Sequence, residues 1–143
     1  MKVKIKKLHP DAVIPKYATE GSACFDLHSM ESGRVYPGGY EYFGTCLSFE
    51  IPEDHVMLVY SRSGHGFKNS VRLSNATGVI DSDYRGEVKV KLHNDHGANV
   101  FSVEAGDRIA QAMIIPVQQV QFEEVNELSE TARGSGGLGS TGM

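Results

Sequence analysis

The chain has 143 residues, enough for one domain with a sizeable core, and a formal net charge of −4 with a pI near 5.8. That balance excludes the broad basic surface on which non-specific nucleic-acid binding depends. Sixteen glycines, six tyrosines, six phenylalanines and no tryptophan, in a chain rich in Val and Ile, point to many short strands joined by turns.

In chain order, KVKIKKL alternates lysine with Val3 and Ile5 before Leu8, the period of a half-buried strand with a lysine-protected outer face. No signal-peptide core follows this basic start, and no apolar run reaches 18 residues, so the expectation is a soluble, cytoplasmic protein without membrane contact. GTCLSFEI (44–51) and HVMLVYS (55–61) read as further strands. SGHGFKNSV (63–71) is the one helix candidate, with Ser63 as its cap and two glycines weakening it. GVID (78–81), GEVKVKL (86–92), RIAQAMIIPV (108–117) and VQFEEV (120–125) complete the strands. Their spacing predicts an all-β jelly-roll-like sandwich or barrel over residues 1–125. From 126 to 143 the sequence NELSETARGSGGLGSTGM has few apolar anchors and reads as a mobile C-terminal arm. Cys24 and Cys46 are isolated, without CxxC spacing, and are expected as reduced, buried thiols.

Five segments combine glycine with polar or charged groups. GSACFDLHS (21–29) sets Asp26 between apolar neighbours, where an acid also serves simply to cap a strand. SRSGHGFK (61–68) offers Arg62, Ser63, Lys68 and backbone N–H groups around Gly64 and Gly66; such a cluster cradles phosphate oxygens, or is a solvated basic turn. NATGVIDSDYRGEV (75–88) crowds Asp81 and Asp83 beside Tyr84, Arg85 and Gly86, more acid than a turn requires. GDRIAQAMI (106–114) places Gln111 inside an apolar strand, either facing outward or aiming its amide at a ligand. RGSGGLGSTG (133–142) has the composition of a phosphate loop but lacks the lysine and following helix of a P-loop. His93 and His96 of HNDH are two ligands without a third, which makes no zinc site. No GxSxG elbow, HExxH pair or dinucleotide fingerprint occurs.

Taken together and in this order, the five segments resemble the five motifs of the homotrimeric dUTPase family over nearly the whole chain. The resemblance implies hydrolysis of dUTP to dUMP and pyrophosphate by water attack at the α-phosphorus. In such an enzyme the third segment is a β-hairpin that accepts deoxyuridine. Asn75 then gives its amide to uracil, and backbone near Gly78, Val79, Ile80 and Lys89 completes the pairing. Tyr84 lies against the deoxyribose and excludes a 2′-hydroxyl. Glycine suits position 78, since backbone approaches a base closely only where no Cβ intervenes.

Asp81 matches the family's general base, whereas Asp83 and Arg85 are expected to hold the turn by local hydrogen bonds and an ion pair. Arg62, Ser63 and Gly64, with Gln111, are expected on the phosphate chain. Mg²⁺ is expected chiefly on the substrate's phosphates and water, with Asp26 touching that shell indirectly. Arg133 is expected to clamp the γ-phosphate while the arm, with Leu138 and Gly139 over the nucleotide, closes the site. Each site of the implied homotrimer draws on three chains. Leu138 departs from the phenylalanine usual in the family. The rivals are a dCTP deaminase-like trimer, disfavoured by IDSDYRG and the arm, and a regulatory binding protein on the same fold, for which the variable HSMESGRVYPGGYEYFG is the available surface.

Overall fold

The computed structural model describes residues 1–142. Along the described chain run β1 (Lys4–Lys7), β2 (Phe25–His28), β3 (Gly33–Val35), β4 (Tyr40–Gly44), β5 (Leu47–Glu50), β6 (His55–Tyr60), α1 (Ser63–Asn69), β7 (Val71–Leu73), β8 (Thr77–Ile80), β9 (Lys89–Asn94), β10 (Phe101–Val103) and β11 (Arg108–Pro116). Four antiparallel strands form one sheet in the order β2-β11-β6-β8, and three form another in the order β4-β9-β7. The pairs β1-β5 and β3-β10 complete an all-β, jelly-roll-like sandwich.

Period-two alternation builds this arrangement. In β9, Val90, Leu92 and Asn94 point inward while Lys89, Lys91 and His93 point away. Leu27, Phe43, Met57, Leu73, Leu92 and Ile109 meet in one shared core, each contributing about 1.5–3 kcal/mol by its burial. Gly33 is bare because a Cβ there would sit 2.9 Å from the Phe43 ring.

Two polar side chains among the described residues, Ser29 and Asn94, are wholly inside. Asn94 donates to the carbonyls of Val35 (2.9 Å) and Asn99 (2.8 Å) and accepts from the His96 N–H at 2.9 Å, tying three segments together. With its donors and acceptor all engaged, it carries no orphan-group penalty.

The structure corrects several sequence expectations. VQFEEV forms no strand; the last strand ends at Pro116, and Phe122 lies almost fully exposed. GEVKVKL enters its strand only at Lys89, because Thr45 Oγ1 and the Leu47 carbonyl already hold the Val88 backbone. Ser63 is the first residue of α1, not its cap: the cap is Arg62, without a side-chain capping bond, and Ser70 ends the helix at φ 55° where glycine is usual. Cys24 and Cys46 are free thiols as expected, but half-buried. No helix among the described residues is long and apolar enough to cross a membrane.

Candidate functional site

Three of the glycine-bearing segments converge on β11. That strand lies between β2 and β6, so Gln111 stands opposite Asp26 on one side and Tyr60 on the other. Gln111 Nε2 donates to the Ser61 carbonyl at 2.9 Å, and Ser61 Oγ accepts the Leu73 N–H at 2.9 Å. The turn that leads from β6 into α1 is thereby fixed at its base.

Beyond that turn, Arg62 folds back over the sheet. Its Nε donates to Asp26 Oδ1 at 3.0 Å, while Arg108 Nη1 reaches Asp26 Oδ2 at 3.2 Å. Asp26 is largely buried, so two guanidinium partners are what make its charge tolerable there. Ser63 and Gly64 follow Arg62 and are solvent-exposed. The result is a cationic and hydroxyl-bearing face where the turn into α1 folds over the sheet, suited to an oligophosphate.

A second locus lies between β8 and β9. These strands do not pair with each other: β8 is the free edge of the four-stranded sheet, and β9 belongs to the three-stranded one. The expected hairpin is therefore a splayed connection, and the gap is a cleft of roughly 330 Å³ lined by Tyr42, Asn75, Gly78, Val79, Ile80, Lys89 and Lys91 among others. Edge strand β8 and the first residues of β9 leave backbone groups without ladder partners on this side. The close approach at Gly78 also has a packing cause, for a Cβ there would meet Val59 Cβ at 3.2 Å.

The connection 81–88 joins Ile80 to Lys89, which line this cleft, and its Tyr84, Glu87 and Val88 line an adjoining pocket with those same two residues. Tyr84 lies over Gly86, where any side chain would collide with the ring, and its hydroxyl donates to the Glu87 carbonyl at 3.1 Å. Arg85 holds the turn by donating to the carbonyls of Ser82 (2.6 Å) and Tyr84 (3.0 Å). The local hydrogen bonds expected of Arg85 thus form through Nη1, whereas the Asp83–Arg85 ion pair does not. Asp81 is exposed, and its carbonyl receives the Tyr84 N–H at 3.2 Å, which leaves the carboxylate directed by the backbone alone.

The arm is not brought to either locus. Arg133 Nε turns back to the Gly136 carbonyl at 2.9 Å, Leu138 is fully exposed, and Gly139 adopts φ 77°, a conformation that costs glycine little. The cationic face and the cleft thus come from separate parts of one chain.

For a divalent metal, no group of three or more His, Cys, Asp or Glu side chains suited to an ion occurs among the described residues. Asp26, with both oxygens taken by arginines, fits contact through water better than direct ligation. The described residues thus offer no all-protein cage, and Mg²⁺, which keeps several waters and favours substrate phosphates, does not require one.

Arg108 and His65 were not singled out from sequence. An acid within an apolar strand needs a counter-charge, and that was the available signal for Arg108. His65 offered none, since its partner is a backbone carbonyl.

An all-β sandwich with a cationic face on one sheet and an open cleft at the edge between two sheets defines the dUTPase-like jelly roll. The family model described as dUTPase matches residues 10–142, and the chain belongs to the dUTPase family. It is 50% identical over 142 residues to the deoxyuridine 5′-triphosphate nucleotidohydrolase of Nautilia profundicola, covering 99% of each chain. It is 46% identical over 145 residues to the enzyme of the same name from Helicobacter pylori strain P12, covering 100% of this chain and 98% of the other. Among solved structures, it superposes on the Staphylococcus bacteriophage 80alpha dUTPase bound to dUPNHPP with a TM-score of 0.90, at 27% identity and 99% coverage of both chains.

Proposed function

We propose that this chain hydrolyses dUTP to dUMP and pyrophosphate, limiting uracil entry into DNA and supplying dUMP for dTMP synthesis. The observation that carries the reading is that Asp26 holds Arg62 and Gln111 holds the Ser61 carbonyl, fixing the turn that leads to Ser63 over one sheet, with the nucleoside-sized cleft beside β8 held separately. Family membership, with 50% identity to the Nautilia profundicola enzyme over nearly the full chain, supports the substrate.

In the proposed mechanism, Asn75 and the unpaired backbone around Gly78, Val79, Ile80 and Lys89 read the uracil edge, and Tyr84 bounds the sugar. Asp81 accepts a proton as a water oxygen bonds to the α-phosphorus. The bond from that phosphorus to the α,β-bridging oxygen breaks, and pyrophosphate leaves with the electron pair. Arg62, Ser63, the Gly64 amide and Gln111 meet the developing negative charge. Bound Mg²⁺ would neutralise phosphate charge, with Asp26 near its water shell. The segment 126–143 would act as a closing arm, Arg133 on the γ-phosphate and Leu138 and Gly139 above the nucleotide.

The separation of the cationic face, the cleft and the arm within one chain supports a homotrimer whose sites are shared between subunits. The proposed setting is the cytoplasm, where free nucleotides are found. Pyrophosphate release from the eight common nucleotides, with and without Mg²⁺, tests the reading. Selective Mg²⁺-dependent release from dUTP is expected. Ammonia release from dCTP instead would replace the reading with a deaminase.

A further inference from the structure

Helix α1 has seven residues, two of them glycine, and buries none of them. Phe67 on it is almost wholly exposed. A helix this short and this poorly packed does not hold its own position, because nucleation in water is unfavourable and tertiary contacts must supply the stability. Yet the turn that begins it carries Arg62, Ser63 and Gly64.

The structure contains a tether. His65 Nε2 lies 2.7 Å from the carbonyl oxygen of Arg108, and the His65 ring packs edge-on against Phe101 with centroids 5.0 Å apart. A carbonyl only accepts, so Nε2 carries the proton. That carbonyl is free to accept because the pairing of β11 with β2 shifts register between Arg108 and Ala110. The same carbonyl lies at 3.5 Å from Arg62 Nη1, and the Arg108 side chain holds Asp26, which in turn holds Arg62. A closed circuit runs from Arg62 through Asp26 and Arg108 to His65 and back along the first turn of α1.

We infer that His65 is a positioning residue for oligophosphate binding: by donating to the Arg108 carbonyl at the bulge of β11, it fixes the Arg62–Gly64 turn in the orientation that receives the phosphate chain. The inference rests on the assignment of that turn to phosphate in the proposed function. His65 touches no substrate atom in this role. It acts through the backbone it restrains, so its loss weakens ligands that carry phosphates and leaves ligands that carry none.

The test compares wild type with His65→Phe, which keeps a ring against Phe101 but has no donor, and His65→Gln, whose amide N–H can reach the carbonyl. Inorganic pyrophosphate and deoxyuridine serve as separate calorimetric probes, and dUTP turnover is measured alongside. Loss of one such hydrogen bond is expected to weaken pyrophosphate binding and raise KM for dUTP about three- to tenfold in His65→Phe. Deoxyuridine affinity should stay at the wild-type level, and His65→Gln should recover most of the loss. Wild-type pyrophosphate affinity in His65→Phe overturns the inference, as does equal weakening of both probes, which would mark general structural support. Imidazole ¹⁵N shifts of the wild-type protein give a check that needs no variant to fold. An Nε2–H tautomer supports the tether and an Nδ1–H tautomer overturns it. Wild-type protein that fails to hydrolyse dUTP would refute the proposed function by itself, and the tether would then be decided by those shifts.

Discussion

Arg62 and Asp26, 36 positions apart in sequence, meet at 3.0 Å from Nε to Oδ1, with both side chains largely withdrawn from water. Arg108 takes the second oxygen of the same carboxylate. Asp26→Asn keeps one acceptor but turns an NH₂ group and no charge toward two guanidinium groups. A loss of about 1–3 kcal/mol in stability is expected, since hydrogen bonds between charged groups are the stronger kind. Urea unfolding of the two proteins checks it, and a parallel rise in KM for dUTP should accompany it as Arg62 loses its orientation.

Asp81 is the opposite case, an exposed carboxylate with no side-chain partner to lose. Asp81→Asn should leave thermal stability and dUTP binding unchanged while kcat falls by about 10² to 10⁴, the usual worth of a general base. Single-turnover kinetics with dUTP measures this directly. A kcat near that of wild type would remove Asp81 from the chemistry.

Asn94→Ala strands the carbonyls of Val35 and Asn99 and the His96 N–H in or beside the core. About 2–4 kcal/mol of destabilisation is expected, because unpaired buried polar groups bear the full desolvation penalty. The protein that remains folded should bind dUTP normally, since Asn94 lies away from the cleft-lining residues. Denaturation midpoints with and without ligand separate the two effects.

These cases show where the sequence was legible. Strands β1, β6 and β11 announce themselves by alternation or by a long apolar run, and all three form where the pattern places them. Strands β3, β7 and β10 have three residues each, too few for any period to emerge, and tertiary pairing alone defines them. VQFEEV alternates as convincingly as β1 does, but a pattern does not supply a partner edge, and within one chain none receives it. The glycine-bearing segments marked residues suited to the chemistry but not their placement. The convergence of Asp26, Arg62 and Gln111 depends on β11 lying between β2 and β6, which no local signal reveals.

Cys46 offers a pH-dependent check on the environment near the 81–88 connection. Burial pushes its thiol above the ordinary range, and the Glu87 carboxylate beside it pushes further in the same direction. Glu87→Gln retains an oxygen for the Cys46 N–H, which Glu87 Oε1 now accepts at 2.9 Å, but removes the negative charge. The thiolate should then form at lower pH. The alkylation rate of Cys46 with iodoacetamide, followed against pH in a Cys24→Ala background, should show its midpoint moving downward and its rate at neutral pH rising. An unmoved midpoint would show that burial alone sets the thiol.

Leu138 is fully exposed, so a change there should not alter stability. An aromatic face on a base is worth about 1–3 kcal/mol by alanine substitution, and leucine supplies contact area without that face. If the arm covers the base, Leu138→Phe should raise kcat/KM for dUTP and Leu138→Gly should lower it, with the preference for uracil over cytosine unchanged in both. Equal kcat/KM values in all three proteins would separate the arm from the base.

The gap between β8 and β9 has a further consequence for the sandwich as a whole. Two sheets that run side by side without a shared ladder resemble two plates with an unlaced seam, and the outward-facing amides along it have no ladder partner to slow their exchange with solvent. On the proposed reading, a planar ring bearing donors and acceptors on its edges would lace the seam and join both plates into one hydrogen-bonded surface. Substrate binding would then be read far from the phosphates, as slowed exchange of the β8 amides that face away from β6 and of Lys89, and the nucleobase would serve as a rung of the protein's own sheet.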